Sequence, residues 1–191
     1  MNITKSMLEK DAADLMQAMK KHDYTIPSSL DIFKPILKVY RVVCAIQIMF
    51  SAIDYLIYKQ SFGDYYLSDV VTFSLISLLL VFIVLSMTLY GGVSLTLCIP
   101  DKVKKESLIL KIAKKKLKIY FYAVIIANII VAAILLFSGG RLVTLLGGSW
   151  FVSLCIGSIM FSASMSRYLT PTVMATINKV HETITSGKQT A

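Results

Sequence analysis

The sequence predicts an all-α membrane protein: four transmembrane helices preceded by a cytoplasmic N-terminal amphipathic helix, with both termini on the inner side. Three observations carry this. Of the 191 residues 56% are hydrophobic and only 16% charged, against about 45–50% and about 25% in a soluble domain. The apolar residues gather into runs that can cross a hydrocarbon core of ~30 Å, which takes about 20 helical residues. The charges are segregated, with 18 of the 20 basic residues in segments 1–41, 100–118 and 166–191, as expected of cytoplasmic flanks. The chain divides into an amphipathic helix and interfacial segment (1–38), a four-helix transmembrane domain (39–166) with a Lys-rich cytoplasmic loop (100–118), and a cytoplasmic tail (167–191).

Residues 1–24 read as an amphipathic helix. Ser6 followed by Glu9 has capping-box spacing. Leu8, Ala12, Leu15, Met16 and Met19 recur every three or four residues, opposite Lys10, Asp11, Asp14, Gln17 and Lys21. Acids and bases nearly balance, whereas a helix lying on lipid is richer in Lys and Arg. Docking on protein, either its own or a partner's, is expected, and Leu8, Leu15 and Met19 are the residues placed to do it. Tyr24–Ser29 reads as a turn because Pro27 disfavours helix at Ile26. Residues 30–38 are expected along the interface, with Asp31 in a first turn where the helix dipole favours an anion and Pro35 near the start of the long first helix.

Four spans follow. The first is Val39–Tyr58. The second begins near Val70 and needs to reach only residue 90, with Gly91-Gly92 and Pro100 predicting a bent or irregular remainder. The third is Leu117–Phe137. Ser138-Gly-Gly-Arg141 makes a tight turn into the fourth, Leu142–Met165, so these two form an antiparallel hairpin. The outer connections hold only Lys59 and Arg141 of the basic residues. The tail from Thr170 repeats Val173, Met174, Ile177, Val180 and Ile184 at helical spacing, predicting a short helix that ends near Gly187. Segment 1–38 lacks the short apolar core of a cleaved signal, so the first span is expected to serve as its own insertion signal.

The net charge of +9 raises nucleic acid as a partner. No aromatic-interleaved basic groove accompanies the lysines, and none is expected to bind it. Eight lysines between Lys102 and Lys118 instead flank two spans, where they act as a topogenic signal and face anionic lipid headgroups. Cys44, Cys98 and Cys155 form no Cys-x-x-Cys pair and read as small packing residues. His22 and His181 stand in opposite polar appendages. No zinc-protease helix motif, nucleophile elbow or phosphate-cradling loop is present. The expectation is therefore no catalytic residue, no metal and no cofactor.

The first span carries a polar series, Arg41, Cys44, Gln47, Ser51, Asp54 and Tyr58, at spacings of three and four. Hydrocarbon satisfies none of these groups, so the face is expected to meet other helices or a water-filled cavity. Helix packing, recognition of another membrane protein and an ion pathway all use such a seam; Arg41, Gln47 and Asp54 are its key members. A pathway needs buried ionisable groups on other spans, and the third offers only Asn128. The fourth span holds the small-residue series Ser149-xxx-Ser153-xxx-Gly157 and Ser158-xxx-Ser162-xxx-Ser166, which permit close approach. Ala123-xxx-Ala127 in the third looks like the matching surface. Hairpin packing through Ser153 and Gly157 is expected, and a homodimer could use a leftover small face.

A polar amphipathic start (Met7–Lys21), a proline-marked approach (Thr25–Pro35), four spans and a Lys-rich inner loop together resemble the TraS-type entry exclusion proteins of conjugative plasmids. The likeness covers the whole chain in layout and rests on no diagnostic motif, so no family residue is carried over. It implies a bacterial inner-membrane protein that blocks redundant conjugative DNA transfer by recognising a donor TraG-type mating-pair stabilisation protein. Two other functions fit the same layout: a bacteriocin-immunity-like protein, and a small ion or solute transporter or channel using the polar seam.

Overall fold

Backbone amides in hydrocarbon have no partner but one another, so apolar runs of this length must be helical. The computed structural model describes residues 4–21, 27–62, 65–139 and 142–186, and all regular structure there is helical. In order these are α1 (Lys5–Lys21), α2 (Ser29–Phe62), α3 (Tyr65–Cys98), α4 (Asp101–Glu106), α5 (Leu108–Ser138), a 3-10 turn (Leu142–Leu145), α6 (Leu146–Ser166) and α7 (Pro171–Ser186). Among the described residues, four helices are long and apolar enough to span a membrane. The chain is a multi-pass membrane protein.

α2 packs on α3, α3 on α6, α6 on α5, and α5 back on α2, closing a ring of four helices. At its centre lie Trp150, Leu146, Val143, Val81 and Ala132, with no exposed surface, beside Val43, Phe50 and Leu136. No more than 28% of the most apolar window of any span is buried inside the chain. The outward surface is just as apolar: Ile48, Phe73, Ile159 and Phe137 are 60–83% exposed. A soluble bundle turns a polar face outward, so this surface requires lipid.

The helix limits correct several expectations. α1 starts at Lys5, so Ser6 stands inside the helix and does not form a capping box. The carbonyl of Thr4 takes the Leu8 amide instead. α2 runs through residues 30–38, with Pro35 inside it near its start. Ser28 starts this helix: its hydroxyl accepts the Asp31 amide (3.3 Å) and donates to the Asp31 carboxylate (2.7 Å). α3 passes Gly91 and Gly92 unbroken to Cys98. Glycine costs a helix about 1 kcal/mol, and that cost is outweighed because Leu95, Cys98 and Ile99 pack against Leu15, Met16, Val103 and Leu110. The Lys-rich segment is no loop either, since α4 and the first three turns of α5 occupy it. α5 stops at Gly139, whose φ of +132° suits a residue without a side chain. Tyr24–Ile26, Gly140, Arg141 and Gly187 of the expected turns and ends lie outside the described residues.

α2, α3 and α5 have 34, 34 and 31 residues, or roughly 46–51 Å at 1.5 Å per residue. That exceeds the hydrocarbon core by roughly 15–20 Å. The end of α3 and the start of α5 join a cap at one end of the bundle, where α1 lies across α7 and α5. Leu8 and Ala12 of α1, Ile109 of α5 and Val173 of α7 form its buried centre.

Candidate functional site

Two regions concentrate the polar residues: the interior of the bundle and the cap.

Inside the bundle, the seam of the first span turns inward over most of its length. Gln47 and Asp54 are 1% and 0% exposed, and Cys44, Ser51 and Tyr58 are half-buried. Gln47 Nε2 donates to Ser74 Oγ on α3 (3.2 Å), and the Ser51 hydroxyl stands 3.5 Å from the same atom. Tyr58 donates its hydroxyl to the Leu136 carbonyl on α5 (3.0 Å), and Tyr40 donates to the Leu78 carbonyl on α3 (3.2 Å). Asp54 is engaged as well. Arg41 does not belong to the inward face. It is exposed, and the buried residue at that end is Val43. The reason is angular: at 100° per residue, Arg41 falls well off the line through Gln47 and Asp54.

The α5–α6 hairpin has its own polar centre. Asn128 is fully buried, and both ends of its amide are bonded. Nδ2 donates to the Val124 carbonyl (2.8 Å) and to Ser153 Oγ (2.7 Å), and Oδ1 accepts from Ser149 Oγ (2.8 Å). A Cβ on Gly157 would stand 3.0 Å from Val124 Cγ2, so Gly157 lets the helices meet. Ser149, Ser153 and Gly157 thus face α5. Their matching surface is Val124, Asn128 and Ala132, not Ala123 and Ala127, which are exposed. A closer approach joins α6 to α3 with no motif to mark it: a Cβ on Gly147 would lie 2.0 Å from Ser77 Cβ.

In the cap, Leu8 is buried and Leu15 half-buried. Met19 lies on α1, with its side chain outside the described residues. Asp11, expected on the solvent face, reaches the start of α5. Its carboxylate accepts from the Ser107 hydroxyl (2.9 Å), the Leu108 amide (2.9 Å) and the Ile109 amide (2.8 Å). Ser107 in turn accepts the Leu110 amide (3.3 Å). A helix N-terminus presents unsatisfied amides and positive potential, and Asp11 supplies the anion from far along the chain. The only local signal was Ser107 ahead of an apolar run. The outer face of α1 is left with Lys10, Ala13, Asp14 and Gln17, all exposed.

Basic side chains crowd the same end. Lys104 pairs with Asp101 (3.0 Å). Lys116 is half-buried, donates to Ser164 on α6 and lies 5.1 Å from the centre of the Tyr168 ring. Lys118 lies 5.7 Å above the Tyr122 ring. Among the described residues no group of three His, Cys, Asp or Glu side chains is placed to hold a metal ion. No protein family, curated protein or solved structure matches this chain.

Proposed function

We propose that this chain is an inner-membrane entry exclusion protein, acting without catalysis by recognising a donor's mating-pair stabilisation protein of the TraG type. The supporting observation is the use made of its polar groups. Gln47, Asn128, Ser149, Ser153 and Tyr58 hold one helix to another, while the end of α3 and the start of α5 join a structured cap. A protein that acts by surface complementarity needs such a rigid platform, and its specificity is a difference of affinities between partners. On this reading the chain lies in a bacterial inner membrane with both termini and the cap in the cytoplasm, as the distribution of its basic residues directs. Since Leu8 and Leu15 are occupied by the chain's own packing, the surface offered by α1 is Lys10, Asp14 and Gln17.

The test is mating into recipients with and without the full chain. Transfer from donors of one mating-pair type should fall and transfer from others should not. Replacing Lys10, Asp14 and Gln17 together should relieve exclusion while leaving protein level unchanged. Undiminished transfer from every donor would refute the proposal, and protection against a pore-forming toxin instead would move the chain to the immunity class.

One observation favours a second reading, a small ion or solute transporter. Asp54 and Gln47 are both buried on one face of α2, and intramembrane ionisable residues often mark a path. Flux in proteoliposomes that Asp54→Asn alters would establish it.

A further inference from the structure

The outer face of α5 changes character along its length in one unbroken line. Lys111, Lys115, Lys118, Tyr122, Ile126 and Ile129 follow at steps of four, three, four, four and three, and all six are exposed. At 100° per residue they fall within about 80° of one another around the helix. α5 contains no acidic residue to neutralise them.

Depth follows from length. Lys118 stands 20 residues before the end of α5 at Ser138, which is about 30 Å, the thickness of the hydrocarbon. Lys115 and Lys111 then lie roughly 5 and 10 Å further out, across the headgroup layer. Tyr122, 51% exposed beneath the Lys118 ammonium, is at the level where aromatic belts form. Ile126 and Ile129 continue into the region of the acyl chains. Two neighbouring lysines are arranged otherwise. Lys116 turns inward to Ser164 and Tyr168, and Lys104 is paired with Asp101 on α4. Lys111 gives one donor to the Glu106 carbonyl (3.3 Å) and keeps its charge outward.

We infer that this face of α5 is a binding site for an anionic phospholipid, its phosphate held by Lys115 and Lys118 with Lys111 above, and its acyl chain lying along Tyr122, Ile126 and Ile129. The inference is independent of the proposed exclusion role. It separates the lysines that hold lipid from those that only add charge.

The experiment uses the full chain purified in a neutral detergent and titrated with phosphatidylglycerol or phosphatidylcholine. Retained lipid is counted by native mass spectrometry. The wild type should retain phosphatidylglycerol in preference. K111Q/K115Q/K118Q should weaken that binding by about tenfold to a hundredfold, given three headgroup-facing charges. K102Q/K104Q/K105Q removes the same charge from α4 and should leave it within about twofold. Lys→Arg at the three stripe positions should preserve it. K115Q alone, with a loss of about fivefold, reads the site if the triple variant does not fold. Equal loss in both triple variants would reduce the effect to net charge and overturn the inference. So would unchanged binding in the stripe variants, or a wild type that retains both lipids alike.

Discussion

Asp11→Ala removes the carboxylate that joins α1 to the start of α5. Three donors lose their acceptor: the Ser107 hydroxyl and the Leu108 and Ile109 amides. Losing a helix cap costs about 0.5–2 kcal/mol, and hydrogen bonds to a charged group contribute about 1.5–3 kcal/mol. Asp11 is half-buried, so water can reach the freed amides and the values do not add. A loss of about 2 kcal/mol is expected, falling on the docking of α1. Cys98 reports it. That thiol is 4% exposed and lies in the cluster that Leu15 and Met16 of α1 cover. In a Cys44→Ser, Cys155→Ser background, maleimide should label Cys98 slowly, through openings of α1. A shift of about 2 kcal/mol raises the open population about thirtyfold, and the labelling rate should rise with it. Asp11→Asn keeps one acceptor oxygen and should fall between. Asp14→Ala, on the exposed face, should leave the rate unchanged. If Asp11→Ala labels no faster than Asp14→Ala, the carboxylate does not hold α1 in place and the account of the cap fails.

Gly147→Ala should lower the melting temperature in detergent sharply, because its Cβ would sit 2.0 Å from that of Ser77 and force α3 and α6 apart; overpacking of this kind costs typically about 1–3 kcal/mol. Gly148→Ala, with nothing within 4 Å of the added carbon, should be neutral or slightly stabilising. Asn128→Leu should cost about 1–2 kcal/mol in the same assay, since Ser149 and one bond of Ser153 lose their partner. Gln47→Leu should cost less, because Gln47 makes one long bond through Nε2 and its Oε1 accepts none. Reporter fusions after Phe62 and Leu110 should report opposite sides of the membrane, and the same side for both would overturn the assigned topology.

Membership in the membrane class was legible in the chain without tertiary structure, because lipid enforces it one segment at a time. A run such as Leu75–Leu85 must be helical and must face apolar surroundings whatever its neighbours are, since hydrocarbon offers its amides no other partner. Amphipathic spacing found α1 and α7 on the same local grounds. The series on α2 also announced that Gln47 and Asp54 would turn inward. What remained undetermined depended on which helix each face would meet. Arg41 shares the spacing of the seam but not its angle. Ala123 and Ala127 had the small-residue pattern, yet the contact fell one residue on, at Val124 and Asn128, about 100° around the helix. Gly91-Gly92 carried a local signal for a break, and packing of Leu95 and Cys98 in the cap overrode it. Asp11 on the Leu108 amide and Gly147 on Ser77 are pairings of residues 97 and 70 positions apart. Periodicity within a segment encodes the environment of each face, whereas a partner that far along the chain is fixed only when the helices pack and leave one arrangement that satisfies both.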